Sequence, residues 1–516
     1  MSPPREEPES DVRIEPWDEH NQRLVANVHP ADWSNPAPKE RYHLVVIGAG
    51  TAGLVTAIVA ANLGADVALI ERHLMGGDCL NVGCVPSKGI ISAARAWDHR
   101  RREPFGAAPP AGDGDFAAAM ERMRQLRAGI SHVDSARRFS DAGVDVFLGA
   151  GRFVSDREVE VDGARLRFRR AVIATGARAA APPIPGLDRV EHLTNETVFS
   201  LTERPRHLIV IGAGPIGCEM AQAFAQLGAR VSLIDQADQV LVREDRGAAE
   251  VVQAAMQHDG VELFLGAEIG EIAQSADGAG GDAAKIVRLT DRDGAEHELR
   301  GDRLLVAVGR APNVEGLGLE EVGVEYDRSG VKVDDKLRTT NRRIYAAGDV
   351  TPHLKFTHLA DAHAGIVIQN ALFLPTAKTA KLTVPWVTYT SPEIGHVGLY
   401  EHQAKEQGVA IDVIEVPLDD VDRAILDGEQ EGFLKLVLKK GSDRILGATL
   451  VASHAGDMMP PLALAVTHGL GLKTFAGTIF PYPTQGEVLK KAANLWRKQR
   501  LSPRVAKVLR LWFRAI

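Results

Sequence analysis

Gly76-Gly77-Asp78-Cys79-Leu80-Asn81-Val82-Gly83-Cys84-Val85-Pro86-Ser87-Lys88 holds two of the three cysteines in a chain of 516 residues. Their closeness reads as a redox-active dithiol. Cysteines at i and i+5 of a regular helix lie roughly 8 to 9 Å apart at Cα, beyond the ~7 Å that a disulfide spans, so the backbone must bend here. Gly83 permits the bend, and Pro86 limits how a helix continues past it. A helix opening at this segment turns the positive end of its dipole toward the sulfurs and favours thiolate. The alternatives are two structural thiols or half of a metal site, and no second Cys or His cluster stands nearby to complete a zinc set.

This stretch closely resembles the active-site signature of the pyridine nucleotide-disulfide oxidoreductases, the flavoproteins that include glutathione reductase, dihydrolipoamide dehydrogenase and mercuric reductase. The resemblance runs from about Tyr42 to Glu487. It implies an α/β fold with two Rossmann-like dinucleotide-binding domains, for FAD and NAD(P), and a C-terminal α+β dimerisation domain. It further implies that Cys84 lies against the flavin, that Cys79 faces the substrate, and that Lys88, about one helical turn after Cys84, pairs with Glu219 near the flavin.

Upstream, the apolar run His43–Ile47 leads into Gly48-Ala49-Gly50-Thr51-Ala52-Gly53 and then a helix. This is G-x-G-x-x-G in its strand-turn-helix context, where glycines let the backbone approach a pyrophosphate. The next strand ends at Glu71, placed to accept from an adenosine ribose. The construction returns downstream: His207–Ile211, then Gly212-Ala213-Gly214-Pro215-Ile216-Gly217, a helix, and a strand ending at Asp235. Two such units imply two dinucleotides, FAD on the unit that carries the dithiol and a nicotinamide nucleotide on the other. Asp235 would repel a 2'-phosphate and accept from a free 2'-hydroxyl, so NADH is expected over NADPH.

Apolar strands ending in Thr175-Gly176 and Gly309 resemble the family turns beside the nucleotides, and Gly151 is assigned with them to cofactor binding. Asp349 matches the aspartate that bonds the flavin's ribityl chain, and Thr357 the position under the flavin pyrimidine. Cys218 reads as a small packing residue.

The expected domains are an FAD-binding domain in two parts, 41–190 and 309–380, a nicotinamide-binding domain over 191–308, and an interface domain over 381–500. In the family the last supplies catalytic groups to the partner's disulfide, so a homodimer is expected. The candidates here are Tyr482 and Glu487, in Phe480–Glu487. Disulfide reductases carry histidine at the Tyr482 position, and a phenol with pKa near ~10 is a poorer base at neutral pH than an imidazole near ~6.5. The pattern is similar to mercuric reductase, yet no cysteine follows Cys218 and none precedes Cys79. The expected acceptor is therefore a metal ion such as Hg(II) or a disulfide.

Hydrophobic content of 45%, a net charge of -8 and three cysteines indicate a soluble protein of a reducing compartment, expected in the cytoplasm, and argue against nucleic-acid binding. No apolar run reaches transmembrane length. Residues 1–40 carry seven prolines and read as a flexible extension. At the other end, 501–516 reads as a basic amphipathic helix, with Val505, Val508, Leu509, Trp512, Phe513 and Ile516 on one stripe and Arg504, Lys507, Arg510 and Arg514 off it. It either packs on its own dimer or makes peripheral contact with an anionic membrane through 502–516, the latter suiting a flavoprotein with a binding or signalling task.

Overall fold

The computed structural model describes residues 12–102, 112, 114–275, 283–501 and 503–516. Described residues of Met1–Asp98, Pro110–Ile234 and Ala267–Lys381 form one compact unit, and those of His99–Pro109, Asp235–Gly266 and Leu382–Ile516 form a second. The span 191–308 expected as one nucleotide domain is thus divided, with 235–266 grouped beside the C-terminal residues.

The structure departs from the expected flexible extension within residues 12–40. Helix α1 (Glu19–Val28) is capped by Asp18, whose side chain accepts from the Asn21 amide, and it buries Asn21, Leu24, Val25 and Val28. The prolines in the described part of the extension, Pro16, Pro30, Pro36 and Pro38, all flank this helix.

In the first unit, β1 (Tyr42–Ile47), α2 (Thr51–Asn62) and β2 (Val67–Glu71) form a β-α-β turn. The short helix α3 (Gly77–Asn81) and the long helix α4 (Cys84–Arg102) follow, and then α5 (Phe116–Ile130) and β3 (Val144–Leu148). The parallel order β3-β2-β1 continues through the strand Ala164–Ile173, which also pairs with Ile344–Ala346. Leu44, Val45 and Val46 are all fully buried, as strands covered on both faces require. A second parallel set aligns Arg230–Asp235, His207–Ile211 and Arg303–Val306. In both sets the glycine turn follows the end of the central strand, so each turn and its helix N-terminus stand at the carboxyl edge where such sheets bind nucleotides.

The second unit holds a five-stranded antiparallel sheet, in the order Trp386–Thr388, Glu393–Gly398, Ile445–Ala452, Phe433–Lys439 and Ile411–Pro417. Leu434, Leu436, Leu438 and Leu450 of this sheet pack with Leu462 of Ala455–His468 and with Val488, Leu489 and Ala492 of Glu487–Gln499. The helix Pro503–Ala515 follows, and Ser502 lies outside the described residues.

Candidate active site

The dithiol sits where α3 ends and α4 begins. Cys79 is within α3 and Cys84 is the first residue of α4, so both sulfurs belong to a break in the helix rather than to one regular helix. Gly83 makes the break: a Cβ there would lie 2.6 Å from the Asp78 carbonyl oxygen. Pro86 stands in the first turn of α4, where its missing N–H costs nothing.

Both cysteines are free thiols, Cys84 exposed and Cys79 partly so. Their protons are shared unequally. The hydrogen bond from Cys79 lowers the Cys84 thiol to about 6, with the Thr357 hydroxyl and the Lys88 charge adding to it, against the opposing effect of burial. The same bond, with burial, raises Cys79. Cys84 Sγ lies 3.4 Å from Thr357 Oγ1, at the first residue of the helix Thr357–Leu372. Its position at the N-terminus of α4 also suits an anion. In the dithiol form, the sulfur that ionises more readily is therefore the one that the resemblance sets against the flavin.

Lys88 Nζ donates to Glu219 Oε2 at 2.7 Å. Glu219, in the helix Pro215–Gln226, is 5% exposed, so the lysine charge faces a buried carboxylate. A cleft of about 370 Å³ beside them is lined by Cys84, Lys88, Ser92, Arg122, Leu126 and Ile130.

The first glycine turn fits a dinucleotide. Gly48 is at φ +104°, Gly53 at the base of α2 would carry a Cβ 1.8 Å from the Gly48 carbonyl oxygen, and a Cβ on Gly50 would meet nothing nearer than Gly77 Cα at 3.8 Å. Glu71 does more than await a ribose. Its Oε2 accepts from the Ala49 amide at 2.7 Å and its Oε1 from the His73 amide at 2.9 Å, so the carboxylate clamps the glycine turn itself. Burial raises its pKa against these bonds. Gly151 packs over Ile70 and Ile47 at the ends of β2 and β1. Thr175 Oγ1 donates to the Asn313 carbonyl at 2.7 Å, and the Asn313 side chain returns a bond to the Thr175 carbonyl at 2.9 Å, which fixes the Thr175-Gly176 turn. Burial raises the Asp349 carboxyl.

Sequence reasoning missed Arg310, which follows Gly309. Its guanidinium donates to the Asp78 carboxylate, adjacent to Cys79, and its Nε lies 3.6 Å from Asp349 Oδ2. That Nε is buried with no hydrogen-bond partner among the described residues. A polar cofactor chain beside Asp349 would suit it. The signal available in the sequence was a charge placed directly after the apolar strand and its Gly309.

Gly212 and Gly217 repeat the first turn: φ is +105° at Gly212, and a Cβ on Gly217 would lie 1.8 Å from the Gly212 carbonyl oxygen. A Cβ on Gly214 or Gly309 would meet nothing within 4 Å. Asp235 ends its strand and accepts from the Ala237 amide at 2.8 Å. Cys218 is fully buried and its thiol donates to the Ala213 carbonyl at 3.2 Å.

Tyr482 and Glu487 lie in the second unit. Tyr482 is 70% exposed, and its hydroxyl donates to Asp422 Oδ2 at 3.1 Å. This bond raises the phenol pKa, with Glu487 adding to it. Glu487 opens the helix Glu487–Gln499. Asp422 stands 60 positions before Tyr482 and gave no signal in the sequence.

The pyridine nucleotide-disulphide oxidoreductase family matches residues 42–364, and its dimerisation domain matches residues 384–493. The chain belongs to this family. Its members are flavoenzymes that use FAD and a pyridine nucleotide, and the matched dimerisation domain supports a homodimer. The chain is 38% identical over 459 residues to a mercuric reductase of Bacillus cereus, covering 89% of this chain and 72% of that one. It is 32% identical over 462 residues to a dihydrolipoyl dehydrogenase of Geobacillus stearothermophilus, covering 87% and 95% respectively. Among solved structures, the Cu(II) complex of the HOCl-induced flavoprotein disulfide reductase RclA from Escherichia coli superposes with a TM-score of 0.78 at 29% identity, over 89% of this chain and all of that one. LpdA from Mycobacterium tuberculosis gives 0.77 at 29% identity, over 88% and 99%. No helix among the described residues is long and apolar enough to cross a membrane.

Proposed function

We propose that this oxidoreductase takes electrons from NADH, passes them to a Cys79–Cys84 disulfide, and delivers them to a soft metal ion in preference to an organic disulfide. The observation that carries the proposal is the Tyr482 hydroxyl engaged with Asp422. A phenol held protonated is a poor base, and exchange with an organic disulfide needs a group that moves a proton to and from the departing thiol.

FAD, when bound, supplies acceptance of a hydride from the nicotinamide and passage of two electrons to the disulfide. The residues do the rest. Gly48, Gly50, Gly53, Glu71, Gly151, Thr175, Gly176, Asp349 and Thr357 hold the flavin nucleotide, while Gly212, Gly214, Gly217, Asp235 and Gly309 receive the nicotinamide nucleotide. Lys88, oriented by Glu219, sets a positive charge by Cys84. Two electrons open the disulfide, leaving thiolate on Cys84 and, after one proton is taken up, thiol on Cys79. A soft cation binds the pair as a dithiolate, displacing that proton. Return to the disulfide releases two electrons, enough for one Hg(II) to Hg(0) or two Cu(II) to two Cu(I). Mercuric ion is the substrate named for the Bacillus cereus relative, and copper(II) is bound in the RclA structure.

Steady-state NADH oxidation with Hg(II), Cu(II), glutathione disulfide and lipoamide tests this in the wild type, Tyr482→His and Tyr482→Phe. The metal ions should turn over faster than either disulfide, and Tyr482→His should raise disulfide turnover by about tenfold or more. Rapid wild-type turnover of a disulfide, undiminished in Tyr482→Phe, contradicts it and favours the dihydrolipoyl dehydrogenase-like reading.

The helix Pro503–Ala515 supports a smaller proposal. Val508, Leu509, Trp512 and Phe513 are exposed on it. After Glu487 the chain has nine Lys and Arg and no acidic residue. Apolar surface flanked by this charge suits an anionic bilayer surface. Co-sedimentation with anionic vesicles at low salt should be lost on truncation after Leu501; failure of the full chain to sediment assigns the helix to packing within the dimer.

A further inference from the structure

Helix α1 precedes the residues that the family matches, which begin at 42, yet it is joined to the dithiol by buried polar groups. Asn21 is fully buried; its Nδ2 donates to the Pro16 carbonyl at 2.7 Å and its Oδ1 accepts from Arg127 Nη2 at 2.7 Å. Arg127, on α5 and 1% exposed, sends its other arm, Nη1, to the Asn81 carbonyl at 2.6 Å. Asn81 ends α3 between the two cysteines, and its own Nδ2 donates to the carbonyls of Met75 and Gly77 at 3.0 and 2.9 Å.

The last carbonyls of a helix lack intrahelical partners, and here they are supplied from outside. Arg127 takes the Asn81 carbonyl, and Asn195 Nδ2 donates to the next, that of Val82, at 3.3 Å. The helix break that lets Cys79 and Cys84 approach is therefore pinned on both of these carbonyls. The guanidinium that pins the first is itself fixed by α1, and the planar fork of arginine is what lets one side chain reach both partners. Burial pulls the Arg127 pKa down to about 10, so its charge is retained at neutral pH. Arg124, one turn earlier on α5, meets α1 differently: its Nε donates to Asp18 Oδ2 at 2.6 Å and does not involve α3.

We propose that α1 is a positioning element for the dithiol: through Asn21 it sets the Arg127 guanidinium on the Asn81 carbonyl and so holds the two sulfurs at the separation a disulfide needs. Asn21 and Arg127 are positioning residues, acting through the backbone of α3. The proposal rests on the redox reading of Cys79 and Cys84, and its test separates the two.

The full chain is equilibrated anaerobically in dithiothreitol buffers of graded oxidised-to-reduced ratio, and the Cys79–Cys84 disulfide fraction is read by trapping and mass spectrometry. Melting temperature and flavin content are recorded alongside. Asn21→Leu removes the acceptor that fixes the guanidinium and should lower the equilibrium constant for disulfide formation by about fivefold or more. Asp18→Asn loosens α1 from Arg124 but keeps the cap and leaves Asn21 and Arg127 in place. It should lower the melting temperature while leaving the disulfide equilibrium within about twofold of wild type. Where Asn21→Leu does not fold, Arg127→Lys decides, because an ammonium keeps the charge but cannot span both partners; the same fall is expected. A folded Asn21→Leu or Arg127→Lys with the wild-type equilibrium overturns the proposal, as does an equal fall in Asp18→Asn. Absence of a Cys79–Cys84 disulfide in the wild type at every ratio overturns the redox reading instead.

Discussion

The two glycine turns share the conformation of their first glycine and the close approach of their third, and differ in what surrounds them. Gly48 and Gly212 have φ of +104° and +105°, and a Cβ on Gly53 or on Gly217 would lie 1.8 Å from the carbonyl oxygen of the first glycine of its turn. The first turn is then closed over. Gly77 approaches Gly50, and the Gly76 amide donates to the Ala49 carbonyl at 2.8 Å. Around Gly214 the space for a Cβ is open. A closed turn tied to the redox helices suits a nucleotide that stays, whereas an open one suits a nucleotide that exchanges with each turnover.

The largest expected effect comes from filling each turn separately. Gly53→Ala should give folded protein without flavin, because the added methyl falls on the Gly48 carbonyl. Gly217→Ala should stay yellow, while reduction of its flavin by NADH slows by about a hundredfold or more. Flavin absorbance and stopped-flow reduction read the two, and the reverse outcome would exchange the ligands between the turns. A smaller effect sharpens the contrast between the acids that end the second strands. Asp235 should give NADH about a tenfold advantage over NADPH in kcat/KM, since that ratio requires only about 1.4 kcal/mol of like-charge repulsion. Asp235→Ala should bring the two nucleotides close to parity, and a wild type indifferent to the 2'-phosphate removes this role from Asp235.

Both glycine turns and the dithiol were legible because each depends on residue types that few other contexts require. Glycines at fixed spacing after an apolar strand, and two cysteines about a glycine, carry their geometry in the sequence. The α1 brace was not legible, since the prolines around it read as irregular chain, and it is the burial of Asn21, Leu24, Val25 and Val28 that makes the helix part of the core. Arg124 and Arg127 of α5 gave no signal in the sequence, although both are buried, Arg124 on Asp18 and Arg127 between Asn21 and the Asn81 carbonyl. The clamp on Ala49 was hidden behind the role that the motif gives Glu71, and a carboxylate has lone pairs enough for both. Asp422 and Tyr482 meet only through tertiary structure.

The central claim is that Cys84 carries the thiolate beside the flavin, and an anaerobic pH titration of the NADH-reduced enzyme tests it most directly. The wild type should show a long-wavelength thiolate-to-flavin charge-transfer band. A thiol lowered to about 6 is ionised above that pH, so the band should be full at neutral pH and fade as the pH falls through about 6. Cys84→Ser should show no band at any pH. A band that survives in Cys84→Ser, or one in the wild type that appears only above the ordinary thiol range near ~8.5, would contradict the account.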